Sequence, residues 1–156
     1  MFTSIVWATD GSESADRALA YAKELASESG ARLYAFHGEE HLAGGRSSGA
    51  PVLADEPDLK SKIRQQVVTA REEGLDASFE SVYCAAGRTP HHVADFAAEV
   101  GADVIVVGTH GRSPLAGALL GSVTQGLLHV AACPVLAVPP AAALAQREEA
   151  HAVADA

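Results

Sequence analysis

The chain reads as an α/β protein, one domain on an open five-stranded parallel sheet that is doubly wound with helices on both faces. Three observations predict this. Residues 104–107, Val-Ile-Val-Val, form an unbroken β-branched run ended by Gly108, as expected of a central parallel strand covered on both sides. Short apolar runs alternate with segments of helical period, and Gly30, Gly74 and Gly101 stand where those segments stop. The 156 residues, 48% of them apolar, suffice for one core that buries roughly 70% of the surface of the unfolded chain.

The elements follow in order. Residues 4–9 are an apolar run ending in Asp10-Gly11-Ser12, a first strand followed by a cap. The first helix is expected over 12–29, with Ala15, Ala18, Leu19, Ala22 and Leu25 on one face, and a second strand over 32–37. Residues 39–58 hold no sustained period and carry several Gly and Pro, so they are expected to be a mobile loop. Two catalytic-looking patterns fall in this region. His37 to His41 fits H-x-x-E-H, which needs a helix to bring both imidazoles to one face, whereas here it spans a strand end with Gly38 inside. Gly45 to Gly49 fits G-x-S-x-G, which needs a buried strand before it and a helix after it, and neither is predicted there.

A second helix is expected over 59–73, with Leu59, Ile63, Val67 and Ala70 inward, and a less buried strand over 77–84. Thr89 and Pro90 supply an N-cap and an N1 proline for a third helix, with Val93, Phe96, Ala97 and Val100 inward. The central strand follows. A fourth helix starts at Gly121-Ser122, and the last strand, 133–138, is introduced by Pro134 and closed by Pro139-Pro140, which places it at a sheet edge. The domain is taken as 1–140. Residues 141–156 form an Ala-rich acidic tail, a frayed helix or disordered.

Eleven basic against twenty acidic residues give a net charge of −9, which disfavours binding to nucleic acid or to an anionic membrane. Residues 1–11 lack a basic leader region, and the apolar run 130–145 is broken by three prolines, so the expectation is a cytoplasmic chain with no membrane span. Cys84 and Cys133 make no C-x-x-C and are expected as two buried thiols rather than a disulfide. None of the seven histidines has the company of a catalytic base.

The chemistry concentrates after the central strand. Gly108 and Gly111 bracket a turn in which positive φ and close approach of a ligand are both allowed. A loop leaving the carboxyl end of a parallel strand is where open α/β sheets bind ligands. Gly121-Ser122 opens a helix whose first N–H groups suit an anion such as phosphate, and Arg112 could add a charged contact. Taken singly, each Gly only makes a turn, Ser122 only caps a helix, and Asp10 only caps the first helix or its turn.

The spacing G-x2-G-x9-G-[S/T], with V-I-V-V-G-T-H-G-R-S-P-L, L-L-G-S-V-T and C-P-V-L-A-V around it, resembles the nucleotide motif of the universal stress protein family. The likeness runs from about residue 5 to 139 and is weak between 39 and 58. It implies a Rossmann-like fold of the adenine nucleotide alpha hydrolase-like kind and an ATP-binding regulatory or stress-response module, with Mg²⁺ accompanying the nucleotide. Asp10, in a T-D-G-S-E-S-A context, is implied to contact the nucleoside. Ala8 and Val107 are implied beside the base and ribose, with the phosphates on Gly108, Gly111, Arg112, Gly121, Ser122 and the N–H of Val123. Gly38 stands where family proteins carry a Val that frames the adenine, so one wall of the base pocket departs from the pattern. A homodimer through Val135, Leu136, Ala137 and Val138 is also implied. Two alternatives stay open: slow ATP hydrolysis in the same cleft, and a dimeric interaction module that binds no nucleotide. The chain has no G-x-x-x-x-G-K-[ST] and only three lysines, which does not favour efficient phosphoryl transfer.

Overall fold

The structure is a computed structural model and describes residues 1–41, 56–111 and 120–141. Among the described residues nine elements alternate: β1 (Ser4–Ala8), α1 (Glu13–Ser29), β2 (Arg32–His41), α2 (Glu56–Glu72), β3 (Ala77–Ala85), α3 (Thr89–Glu99), β4 (Val104–Gly108), α4 (Ser122–Val130) and β5 (Val135–Val138). They form the expected five-stranded sheet, every pairing parallel, in the order β3-β2-β1-β4-β5.

The period of two along the central strands sorts the core into two layers. Ile5, Trp7, Leu33, Val104 and Val106 face α1 and α2, meeting Ala18, Leu19, Ala22, Ile63 and Val67. Val6, Phe36, Ile105 and Val107 face α3 and α4, meeting Val93, Ala97 and Leu127. Each fully buried side chain of this size contributes about 1.5–3 kcal/mol. The Ala-rich face of α1 lets the helix lie close to the sheet, where Trp7 donates its indole N–H to the carbonyl of Ala15 at 2.9 Å.

The helix punctuation agrees with the sequence. Ser12 is the N-cap of α1 and accepts from the Ala15 N–H, while Gly30 ends the helix at φ 71°. Gly74 and Gly101 also take positive φ.

Four details differ from expectation. β2 runs on to His41, because Glu39, Glu40 and His41 pair with Tyr83, Cys84 and Ala85 of β3, and α2 begins at Glu56. A polar stretch that looks like loop is thereby held in the sheet. Its buried Glu39 accepts hydrogen bonds from Lys60 at 2.7 Å and from Ser81. Burial alone would raise the Glu39 carboxyl, but the bonds from Lys60 and Ser81 together hold it below its ordinary value.

Second, Thr89 does not cap α3. Arg88 occupies the cap position without a side-chain bond, and the Thr89 hydroxyl donates to Glu40 Oε1 at 2.7 Å. Third, positive φ occurs at Gly11, Gly30, Gly74, Gly87 and Gly101 but not at Gly108 or Gly111. Fourth, Cys84 is buried but Cys133 only half-buried; both thiols are free. β5 is an edge strand, as expected, and begins after Pro134, whose carbonyl still accepts from the Ile105 N–H. Among the described residues no helix is long and apolar enough to cross a membrane.

Candidate functional site

The strand order reverses direction between β1 and β4, and the loops leaving these two strands part there. A cavity of about 300 Å³ opens at that point. Ala8, Asp10, Gly38, Val107, Gly108, Gly111, Gly121, Ser122 and Val123 all line it. Arg112 and residues 42–55 lie outside the described residues, as does the tail beyond 141.

Ala8 and Val107 are register partners, so the cavity floor is a pair of small apolar side chains at the ends of two central strands. β2 outruns β1: residues 4–8 of β1 pair with 32–36, and beyond that β2 is paired only with β3. The Phe36 carbonyl accepts from the Thr9 N–H at 2.9 Å, so residue 36 directs its backbone toward β1. By alternation Gly38 presents its N–H and C=O to the same side, past the end of β1 and into the crevice.

The crevice walls are cross-tied. Asp10 Oδ1 accepts from the Ser12 N–H at 3.0 Å, the local bond of an Asx turn, and the Ser12 hydroxyl donates to the His110 carbonyl at 3.3 Å. The Ser14 hydroxyl donates to the Val138 carbonyl at 2.9 Å and accepts from the His110 N–H at 3.4 Å. Thr124 donates to the Gly108 carbonyl at 2.7 Å, fixing α4 to the end of β4. The Gly121 N–H donates to the Thr109 carbonyl at 2.6 Å.

With Gly121 as N-cap, α4 has no side-chain cap bond, and the N–H groups of Ser122 and Val123 have no partner among the described residues. That end of the cavity is lined by donors carrying the partial positive charge of a helix N-terminus.

The glycines earn their places differently from the sequence expectation. A Cβ on Gly108 would come within 2.5 Å of Ser14 Oγ and 2.6 Å of the Ser14 carbonyl carbon, so the absent side chain makes room for the first turn of α1 while Gly108 itself lines the cavity. A Cβ on Gly121 would meet the backbone of Gly111 and Thr109 at 3.3 Å, and one on Gly111 would meet Asp10 Oδ2 at 3.0 Å. These residues close the turn against the helix start.

The structure also brings to the cavity residues that sequence reading did not assign to it. His37 is buried; its Nδ1 donates to the Thr9 carbonyl at 2.8 Å, and its Nε2 lies 2.5 Å from Glu56 Oε1. Glu40, Thr89, Phe36, Val93 and Thr124 join them. Period two along β2 would have placed Glu40 on the Phe36 face had the strand been extended past His37.

Fold and crevice together define a doubly wound α/β protein with a crevice at the reversal of strand order. The sequence profile of the Universal stress protein family matches residues 1–139, and the chain belongs to that family. Its sequence is similar to Universal stress protein YxiE of Bacillus subtilis, 32% identical over 150 residues that cover 88% of this chain and 99% of that protein. Its fold is similar to that of a universal stress protein in complex with cAMP (31% identity, TM-score 0.66, covering 88% of this chain and 97% of that one). It is also similar to the universal stress protein from Archaeoglobus fulgidus in complex with dAMP (27% identity, TM-score 0.62, covering 88% and 98%).

Proposed function

We propose that this chain is an ATP-binding regulatory module that holds the nucleotide in the crevice between β1 and β4, with Mg²⁺ accompanying the phosphates. The observation that carries the reading is the pairing of opposite chemistries in one cavity. An apolar floor at Ala8 and Val107 lies beside the backbone edge of Gly38, and the N–H groups of Ser122 and Val123, without a partner among the described residues, stand at the other end. The first suits a base, whose edge can exchange hydrogen bonds with a strand, and the second an anion. Asp10, with one oxygen held by the Ser12 N–H, stands between them where a ribose would lie, and Arg112 follows the turn. Two similar structures contain cAMP and dAMP, which supports a nucleotide as the ligand class.

The expected behaviour is that of a binder acting in the cytoplasm, in which the nucleotide state sets the protein's interactions. Mg-ATP at about 100 times its dissociation constant stabilises the fold by roughly 2.7 kcal/mol, read as a rise in melting temperature. An unchanged melting temperature across nucleotides would leave the nucleotide-free interaction module as the better reading. Steady phosphate release from ATP would indicate an enzyme instead.

A further inference from the structure

Gly38 removes a side chain from the base end of the crevice, and the structure shows what stands in its place. A Cβ at this position would lie 2.8 Å from Thr89 Cγ2 and 3.1 Å from Cys84 Sγ. The wall is therefore built from α3 and β3, and a side chain at 38 would force Thr89 to shift. Two residues further along β2, on the same face as Phe36 and Gly38, comes Glu40. The Thr89 hydroxyl donates to its Oε1 at 2.7 Å, so the residue that fills the space over Gly38 also fixes the carboxylate at the cavity's edge. The other carboxylate at this end, Glu56, is bound to His37, and Glu39 points to the opposite face, bound to Lys60 and Ser81. Glu40 Oε2 thus remains as the acceptor available to a ligand, with no hydrogen-bond partner among the described residues.

We infer that Glu40, positioned by Thr89, is the base-selecting residue of the crevice and accepts a hydrogen bond from the exocyclic 6-amino group of adenine. The inference rests on the nucleotide reading of the same cavity. An ionised carboxylate only accepts, so it attracts a 6-amino donor and repels the 6-oxo acceptor that hypoxanthine and guanine carry at the same position. A strand edge such as that of Gly38 offers both N–H and C=O and tolerates either pattern. Discrimination therefore falls to the side chain.

The test compares Mg-ATP with Mg-ITP, which differs in carrying 6-oxo in place of 6-amino, by calorimetric titration of the full chain, with Mg-GTP as a third ligand. ATP is expected to bind about tenfold or more tightly than either, the scale of one hydrogen bond to a charged group. Glu40→Gln supplies an amide that can donate as well as accept, so it should improve ITP binding relative to ATP and collapse the ratio toward one. A merely structural role for Glu40 would not produce that relative gain. Thr89→Val keeps the wall and loses the hydroxyl, and should lower the ratio partway. Equal affinities for ATP and ITP in the parent chain, tighter GTP binding, or a ratio unchanged by Glu40→Gln overturns the inference while leaving nucleotide binding intact. Failure of all three nucleotides to bind overturns both.

Discussion

A single missing methyl decides how close α1 comes to the sheet. At Gly108 a Cβ would lie 2.5 Å from Ser14 Oγ, 2.6 Å from the Ser14 carbonyl carbon and 2.8 Å from the Ala15 nitrogen, and two of those three atoms are backbone. Backbone cannot step aside as a side chain can, so Gly108→Ala is expected to cost about 1–3 kcal/mol, the range for overpacking a filled core. The urea midpoint reads this, and a loss below about 0.5 kcal/mol would show that the start of α1 yields freely. Asp10 and Ser12 share out roles that sequence alone leaves open. Ser12 caps the helix, and Asp10 holds the turn with one oxygen, leaving its side chain on the crevice wall.

Elements are joined at the end of the sheet opposite the crevice by Asp103, just ahead of β4. Its Oδ2 accepts from the Thr3 N–H at 2.6 Å, the Ser4 N–H at 3.0 Å and the Thr3 hydroxyl at 2.9 Å, tying the start of β1 to the start of β4. The Thr3 and Ser4 amides, then the Thr3 hydroxyl, hold its carboxyl below the usual value. The sign follows from linkage: a carboxylate whose folded pKa is depressed contributes stability that is present above its unfolded pKa, about 3.9, and lost as pH falls through the lower folded value. Asp103→Asn should therefore lower the urea midpoint at pH 7, and the gap between variant and parent should close as pH falls below about 4. A gap that stays constant with pH would mean that the charge contributes nothing. At the other end, Thr124 and the Gly121 N–H bind α4 to the turn after β4, so the donors of the crevice are positioned by helix packing.

At the scale of the whole molecule the open question is what meets the β5 edge. The carbonyls of Pro134 and Val138 accept from the N–H groups of Ile105 in β4 and of Thr109 just after it, so by alternation Val135 and Ala137 turn their backbone groups outward, and Leu136 is 37% exposed. A second copy pairing along Val135–Val138 would occupy those groups. Ala137→Pro removes an outward donor without touching the β4 ladder, so it should shift a dimer toward monomer in sedimentation equilibrium with the fold retained by circular dichroism. An unaltered dimer would place the interface elsewhere, and a monomeric parent chain would refute the pairing. Much of this architecture was legible in advance. The β-branched run of β4, the glycines ending α1, α2 and α3, and the glycine spacing after β4 are local signals, and local signals survive in a one-dimensional pattern. By itself the sequence determined the doubly wound sheet and its family, and it singled out residues such as Ala8, Asp10, Gly111 and Ser122 that line the crevice. Only the tertiary structure decided that Glu39–His41 continue β2, that Thr89 turns from capping α3 to holding Glu40, and that Gly108 serves helix packing. Each of these depends on a partner far away in the chain, such as β3 for Glu40 or Ser14 for Gly108, and no periodicity within a segment encodes the distance to such a partner.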